Sequence, residues 1–235
     1  MPNITVYTLT YNEELRAQFM IDHYRSRFPN CHIVFYDNSS TDKTLEIAKN
    51  NNCEVINYNS NHTLDDGLHM RMKNSIWKSA NTDWVLVCDL DELLDINEEQ
   101  LLAEELAGNT KIKSEGYSMV NMEDNYDLHS MKYGYRDGGY DKDVLFNKKF
   151  ISETNYGPGC HSSNFVGHIK YSQPYKLYHY KAVNVEETIA RCADTAKRLS
   201  QTNRANGWGG AALRTEKAIR DDYVFIRSVS FKVRD

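Results

Sequence analysis

Trp84-Val-Leu-Val-Cys-Asp-Leu-Asp-Glu92 runs five apolar residues straight into two aspartates separated by one leucine. An apolar run of this length reads as a strand buried on both faces, and in an open parallel sheet such strands deliver their carboxyl ends to a ligand crevice. Side chains alternate along a strand, so Asp89 and Asp91 are expected to point one way and Leu90 into the fold. Two hard carboxylates side by side suit Mg²⁺ or Mn²⁺, which commonly take phosphate oxygens and water as further ligands. The stretch therefore predicts a metal-diphosphate site at the edge of an α/β sheet. The competing reading is solvated acids or a cap for the next helix, and the cap is weakened by Asn97-Glu-Glu-Gln100, which gives that helix a capping box of its own.

Upstream, strand and helix alternate. Ile4 to Thr10 is a β-rich run, and Asn12 is expected to cap an amphipathic helix that opens with Glu13-Glu14 and turns Leu15, Phe19 and His23 inward. His32 to Tyr36 reads as a second strand, Asp37-Asn-Ser-Ser40 as a turn into a helix through Leu45, Ile47 and Ala48, and Cys53 to Asn57 as a third strand. Asp65-Asp66 caps a helix with Met72, Ile76 and Trp77 inward, which returns to the Trp84 strand. Repeated βα units with short connections imply right-handed crossovers and a Rossmann-like, mostly parallel sheet with helices on both faces.

Beyond Gly108 the pattern loosens. Gly116 to Asn121 reads as a strand, and residues 123–143, rich in Asp, Tyr and Gly, as a binding loop. Val144 to Phe146, Phe165-Val166 and Leu177 to Tyr180 read as further strands. The spacing of Ile189, Cys192, Ala196 and Leu199 predicts a helix from Val185 to Arg204, broken at Asn206-Gly-Trp-Gly-Gly210 and followed by another from Ala211 towards Ile226. One domain over 1–235 is expected, in three parts: a nucleotide-binding type of α/β sheet over 1–95, a smaller part over 110–182, and C-terminal helices over 183–235. Ser228 to Asp235 carries no helix stop signal, which fits a domain cut from a longer protein.

With 40% hydrophobic and 26% charged residues, the 235-residue chain can bury a substantial core and is not of disordered composition. A net charge of −5 gives no electrostatic reason to expect nucleic acid as a partner. No apolar stretch approaches the ~18 residues of a membrane span. The start Met-Pro-Asn-Ile-Thr lacks the charged and apolar regions of a signal peptide, so a cytoplasmic location is expected. Cys31, Cys53, Cys88, Cys160 and Cys192, odd in number and scattered, read as reduced core thiols rather than a disulfide framework or zinc site.

Neither G-x-G-x-x-G nor G-x-x-x-x-G-K-[ST] occurs, so phosphates must be held otherwise, by a metal on Asp89 and Asp91 with help from basic side chains. Three segments follow strands towards the same sheet edge: Thr8-Leu-Thr-Tyr-Asn12, Asp37-Asn-Ser-Ser-Thr-Asp42 and Asp89-Leu-Asp91. Thr10-Tyr-Asn-Glu-Glu14, Asp37 to Asp42, Asn74 on a helix and the Asp-x-Asp, in that order and at these intervals, resemble the family 2 glycosyltransferases of the GT-A fold. The resemblance covers residues 4–95 and implies a nucleotide-sugar donor (a UDP, GDP or dTDP sugar) with Mn²⁺ or Mg²⁺ as cofactor. It further implies that Thr8, Thr10 and Glu13 line the nucleotide pocket, that Asp37 accepts a hydrogen bond from the base, that Asp89 and Asp91 hold ribose and metal, and that Arg71 approaches the diphosphate. Alternatives stay open: a turn with a helix cap for Asp37 to Asp42, and a solvated helix face for Arg71.

Tyr178-His-Tyr-Lys181 looks like the histidine-bearing strand that returns to the metal in GT-A enzymes, which implies His179 as a metal ligand and Lys181 near the departing diphosphate. A satisfied core histidine is the alternative. Inverting transfer needs a base within reach of the acceptor hydroxyl, and the family's usual Glu-Asp pair is absent. Asp141, in Tyr140-Asp-Lys-Asp143, is the first candidate, against a reading as a solvated loop acid, and His161, after Gly157-Pro-Gly-Cys160, is the second. Lys142 is an alternative phosphate or carboxylate contact in the same loop. Tyr117, Tyr126, Tyr133, Tyr135, Tyr140 and Tyr156 crowd this region and suit a carbohydrate acceptor.

The expected activity is metal-dependent, inverting transfer of one sugar to a saccharide or glycoconjugate acceptor, by an enzyme of hexosyltransferase type. A nucleotidyltransferase acting on a sugar phosphate is the alternative, although Thr8 to Glu14 lacks the glycine-rich, basic loop common there. A non-catalytic sugar-binding module is another.

Overall fold

The computed structural model describes residues 1–123 and 125–234. In chain order the first half comprises β1 (Ile4–Thr10), α1 (Glu14–Arg27), β2 (His32–Asp37), α2 (Thr44–Asn50), β3 (Glu54–Asn57), α3 (Asp66–Lys73), β4 (Trp84–Asp89), β5 (Glu92–Leu94) and α4 (Glu98–Leu106). The second half comprises β6 (Lys111–Val120), β7 (Tyr133–Arg136), β8 (Leu145–Asn147), β9 (Ile151–Glu153), β10 (Val166–Gly167), β11 (Tyr171–Ala182), α5 (Val185–Arg198), α6 (Gln201–Asn206), α7 (Glu216–Val229) and β12 (Phe231–Lys232).

Strands β4, β1, β2 and β3 lie side by side and parallel, as the βα alternation predicts. Past β4 the sheet continues with β8, β6, β7 and β12, all antiparallel to their neighbours in that row. The apolar residues of β4 are buried without interruption, and their alternation splits the core in two. Val6, Phe35, Leu86 and Cys88 pack in one cluster with Met20 and Tyr24 of α1, whereas Tyr7, Val34, Val85 and Val87 pack in another with Ile76, Trp77 and Phe146. Each fully buried Val, Leu or Phe contributes about 1.5–3 kcal/mol. Both faces of β4 are packed as far as Cys88, which carries Asp89 to the sheet edge.

β11 pairs parallel with β6 and antiparallel with β5, in a register that sets His179 opposite Glu92. This pairing brings the second half of the chain back to the end of β4.

Several local expectations are corrected. Asn12 does not cap α1: it sits at φ 51, and its carboxamide oxygen accepts from Thr41 N at 2.8 Å. Glu14 N donates to Asp42 while Lys43 N donates to Glu14, so the loops entering α1 and α2 cap each other. The predicted helix to Arg204 ends at Arg198, because Leu199 pairs with Leu64 as a bridge and Ser200 recaps α6 by accepting from Asn203 N. Residues 133–136 of the expected loop form β7. The last helix starts at Glu216, behind the Thr215 cap, instead of Ala211. The capping box at Asn97 and Gln100 is present as read. All five cysteines are free thiols. Among the described residues no helix is long and apolar enough to cross a membrane.

Candidate active site

A cavity of about 740 Å³ opens where β1 and β4 end, with α3 on one side, α5 on another and the turns at 140–142 and 157–161 across from them. Two ion-pair networks meet in its floor.

The first is centred on Asp89. Lys73 Nζ lies 2.5 Å from one carboxylate oxygen and Lys142 Nζ 3.4 Å from the other, while Lys142 also hydrogen-bonds Glu92. Burial opposes ionisation of Asp89, but the Lys73 and Lys142 ammoniums outweigh it and hold the carboxyl well below its usual range. For Glu92 burial wins over Lys142 and pushes the carboxyl up to about 7. Burial also opposes charge on Lys142, yet Glu92 and Asp89 carry its pKa above the ordinary lysine value. Both lysines are thus charged at neutral pH. Lys73 arrives on α3, whose stripe of Asp66, His69, Met70 and Lys73 lines the cavity at helical spacing.

The second network is centred on Asp91, 7% exposed. Its Oδ2 is 3.7 Å from His179 Nε2 and 3.2 Å from an Arg191 guanidinium nitrogen, which in turn lies 2.6 Å from Glu13. Arg16 of α1 stands behind, 2.9 Å from Glu187 and donating to the carbonyls of Tyr180 and Lys181. Burial works against Asp91 as a carboxylate, but Arg191 and then His179 overcome it and hold its pKa below the ordinary range. Burial lowers His179 to about 3 against the pull of Asp91, so the imidazole is neutral and offers a lone pair.

Asp91, Glu92 and His179 each present a ligand atom, all within 4.8 Å of one another. Two carboxylates and a neutral imidazole fit a divalent cation such as Mn²⁺ or Mg²⁺. The Tyr140 ring stacks on His179 at 3.8 Å between centroids and fixes the imidazole plane. That stacking depends on Gly116: a Cβ there would sit 2.5 Å from the Tyr140 backbone, so only glycine lets the 138–140 turn lie against β6.

Of the residues singled out in the sequence, Thr10, Glu13, Asp89, Asp91, His161, His179 and Lys181 line the cavity. Thr8 is wholly buried in β1, and its hydroxyl, like that of Thr10, has no hydrogen-bond partner. Asp37 accepts from Ser40 N at 3.0 Å and Ser40 Oγ at 2.5 Å, and its neighbour Asn38 reaches the wall instead. Arg71 is exposed and off the cavity, two positions round the helix from Lys73. Asp141 also lies off the cavity, accepting from Gly116 N at 2.8 Å and paired with Arg136 at 2.6 Å, so it anchors its loop. His161 hydrogen-bonds the Gly139 carbonyl through Nδ1 at 2.7 Å. Burial, then Lys142, lowers its pKa. Its loop is clamped by Asn74, which accepts from Thr154 Oγ1 and Tyr156 N at 2.7 Å each.

Sequence reasoning missed Lys73, Glu92, Glu187, Arg191 and Arg198. The signal for the last three was on α5: Glu187, Thr188, Arg191, Thr195 and Arg198 recur at helical spacing on the face that lines the cavity, offset from the apolar stripe. Arg198 lies 3.2 Å above the Tyr11 ring at the cavity rim.

Residues 5–165 match the family model described as Glycosyl transferase family 2. No curated protein matches the sequence. Among solved structures, glucosyl-3-phosphoglycerate synthase from Mycobacterium tuberculosis, in complex with Mn²⁺, uridine diphosphate and glucosyl-3-phosphoglycerate, is 21% identical with a TM-score of 0.33, covering 49% of this chain and 44% of that one. The S. aureus protein TarS is 13% identical with a TM-score of 0.44, covering 95% of this chain and 43% of that one. The chain spans less than half the length of either.

Proposed function

The chain belongs to glycosyl transferase family 2 and is a glycosyltransferase, and we propose that it moves one sugar, with inversion and with the help of a divalent cation, from a nucleotide-sugar donor to a saccharide or glycoconjugate acceptor. The observation that carries this reading is the donor set of Asp91, Glu92 and His179 beside an Asp89 kept ionised by two lysines, all on one cavity. Asp91, Glu92 and His179 would hold Mn²⁺ or Mg²⁺, whose chemistry there is to neutralise charge on the departing nucleoside diphosphate. Asp89, unable to take a proton at neutral pH, serves as an acceptor for ribose hydroxyls, with Thr10 and Glu13 on the nucleotide side. Lys181 faces the diphosphate. Release of a nucleoside diphosphate, not pyrophosphate, separates this reaction from nucleotidyl transfer.

His161 is the base we favour. Its Nδ1 donates to Gly139, which leaves Nε2 free to accept the acceptor proton, whereas Asp141 is engaged by Arg136 and Gly116. His161→Ala is expected to lower kcat by about 10²–10⁴-fold. A base works unprotonated, so with a lowered pKa the wild-type kcat/KM should hold down to the ordinary histidine range and fall only below it. A pH-rate profile that is unaltered in the variant would rule His161 out.

The donor reading is tested by thermal melts with UDP, GDP and dTDP sugars in Mn²⁺, Mg²⁺ or EDTA. A ligand bound only to the folded state raises Tm by mass action, about 2.7 kcal/mol of stabilisation at a hundredfold excess over Kd. One nucleotide class should raise Tm with metal and lose the effect in EDTA. No shift with any of them overturns the reading.

A further inference from the structure

Arg191 lies on α5, outside the 5–165 span of the family match, yet one of its guanidinium nitrogens reaches the proposed metal carboxylate. That nitrogen bridges Glu13 Oε1 at 2.6 Å and Asp91 Oδ2 at 3.2 Å, and Oδ2 is the Asp91 oxygen that faces His179. The other nitrogen, Nη1, is enclosed and has no hydrogen-bond partner. Glu13 Oε2 and Glu187 Oε2 are likewise enclosed without one. Against the cost of burying it, Glu13, Asp91 and Glu187, with Asp89 beyond them, all pull on Arg191.

We propose that Arg191 is a place-holding cation, which neutralises Asp91 until a divalent cation arrives and thereby sets how tightly the site binds metal. The inference rests on the reading of Asp91 as a metal ligand. A dication drawn to Asp91 and His179 meets the guanidinium on the same oxygen, and two cations that close repel strongly in a buried site. The guanidinium must then leave Asp91. Glu13 keeps hold of it, and the unused Nη1 and the unused Glu187 Oε2 supply the second contact, so the exchange leaves neither the arginine nor the carboxylates unpaired. Without the arginine, the cation that remains paired with Glu13 and Glu187 among the described residues is Arg16, 2.9 Å from Glu187 and 3.5 Å from Glu13.

The test is a Mn²⁺ titration of the whole chain without nucleotide, counting free Mn²⁺ by its solution EPR signal, in the wild type and in Arg191→Gln, Arg191→Lys and Asp91→Asn. Arg191→Gln should bind Mn²⁺ tighter by on the order of tenfold or more. Arg191→Lys, which keeps the charge, should stay near the wild type, and Asp91→Asn should lose binding. Equal affinity in Arg191→Gln and the wild type, with binding lost in Asp91→Asn, overturns the place-holder and leaves the metal reading standing. Wild-type affinity in Asp91→Asn overturns both. Should Arg191→Gln fail to fold, the wild type itself decides: saturating Mg²⁺ must shift the guanidinium NMR signals of Arg191, identified by their absence in Arg191→Lys, and unshifted signals refute the exchange.

Discussion

Replacing Asp91 by Asn is expected to lower sugar transfer by at least about 10³-fold, the rate equivalent of the several kcal/mol that a metal contributes to charge stabilisation in the transition state. Asparagine has the same shape but cannot supply the anionic oxygen that pairs with His179 as a cation ligand. The fold should persist, because the backbone bond from Tyr180 N to the Asp91 carbonyl at 2.7 Å is untouched and Arg191 retains Glu13 at 2.6 Å. Product formation alongside a thermal melt measures both. Wild-type turnover in a folded Asp91→Asn enzyme would sink the proposed mechanism.

Lys142→Met should cost stability as well as activity. Lys142 is 2% exposed and is the cation in contact with Glu92, itself 1% exposed. Methionine fills the volume of the stem but strands a buried carboxylate, and breaking a buried pair from one side typically costs about 3–5 kcal/mol. The pH dependence follows from Glu92, whose folded-state pKa is raised to about 7. A carboxyl raised above its unfolded value binds more protons folded than unfolded, so its contribution favours the folded state at low pH and is lost as pH rises through about 7. Without Lys142 the carboxyl is raised further. The deficit of the variant should therefore be small near pH 5 and grow as pH rises past 7, in chemical denaturation at each pH. A deficit independent of pH would mean that the pair is not what Lys142 stabilises.

The βα alternation carried the α/β expectation correctly, and the family match bears out the resemblance to family 2 glycosyltransferases. The candidates that lie off the cavity do so for different physical reasons. The resemblance implied Arg71 for the diphosphate, but the cavity-facing stripe runs through Asp66, His69, Met70 and Lys73, so the neighbouring lysine is the one delivered to Asp89. Asp141 is a loop acid held by Arg136 and Gly116, contacts that its sequence neighbours do not reveal. Glu92 directly follows Asp91 and precedes Leu93-Leu94, and nothing beside it in the sequence marks it as a ligand. Its place in the donor set follows only from β11, which sets His179 opposite it.

By itself the sequence determined the βα alternation, the doubly buried strand ending at Asp89 and the arrival of Asp91 at the sheet edge, because alternation and helical spacing are local properties of the chain. Only the tertiary structure decided which cations meet those acids. Lys73 reaches Asp89 across 16 residues and Lys142 reaches Glu92 across 50, with Arg191 coming from a helix farther still. Such pairings depend on the rotation of α3 and α5 and on the register of β11 against β5, and neither a rotation nor a register is set by residues that lie close together in sequence.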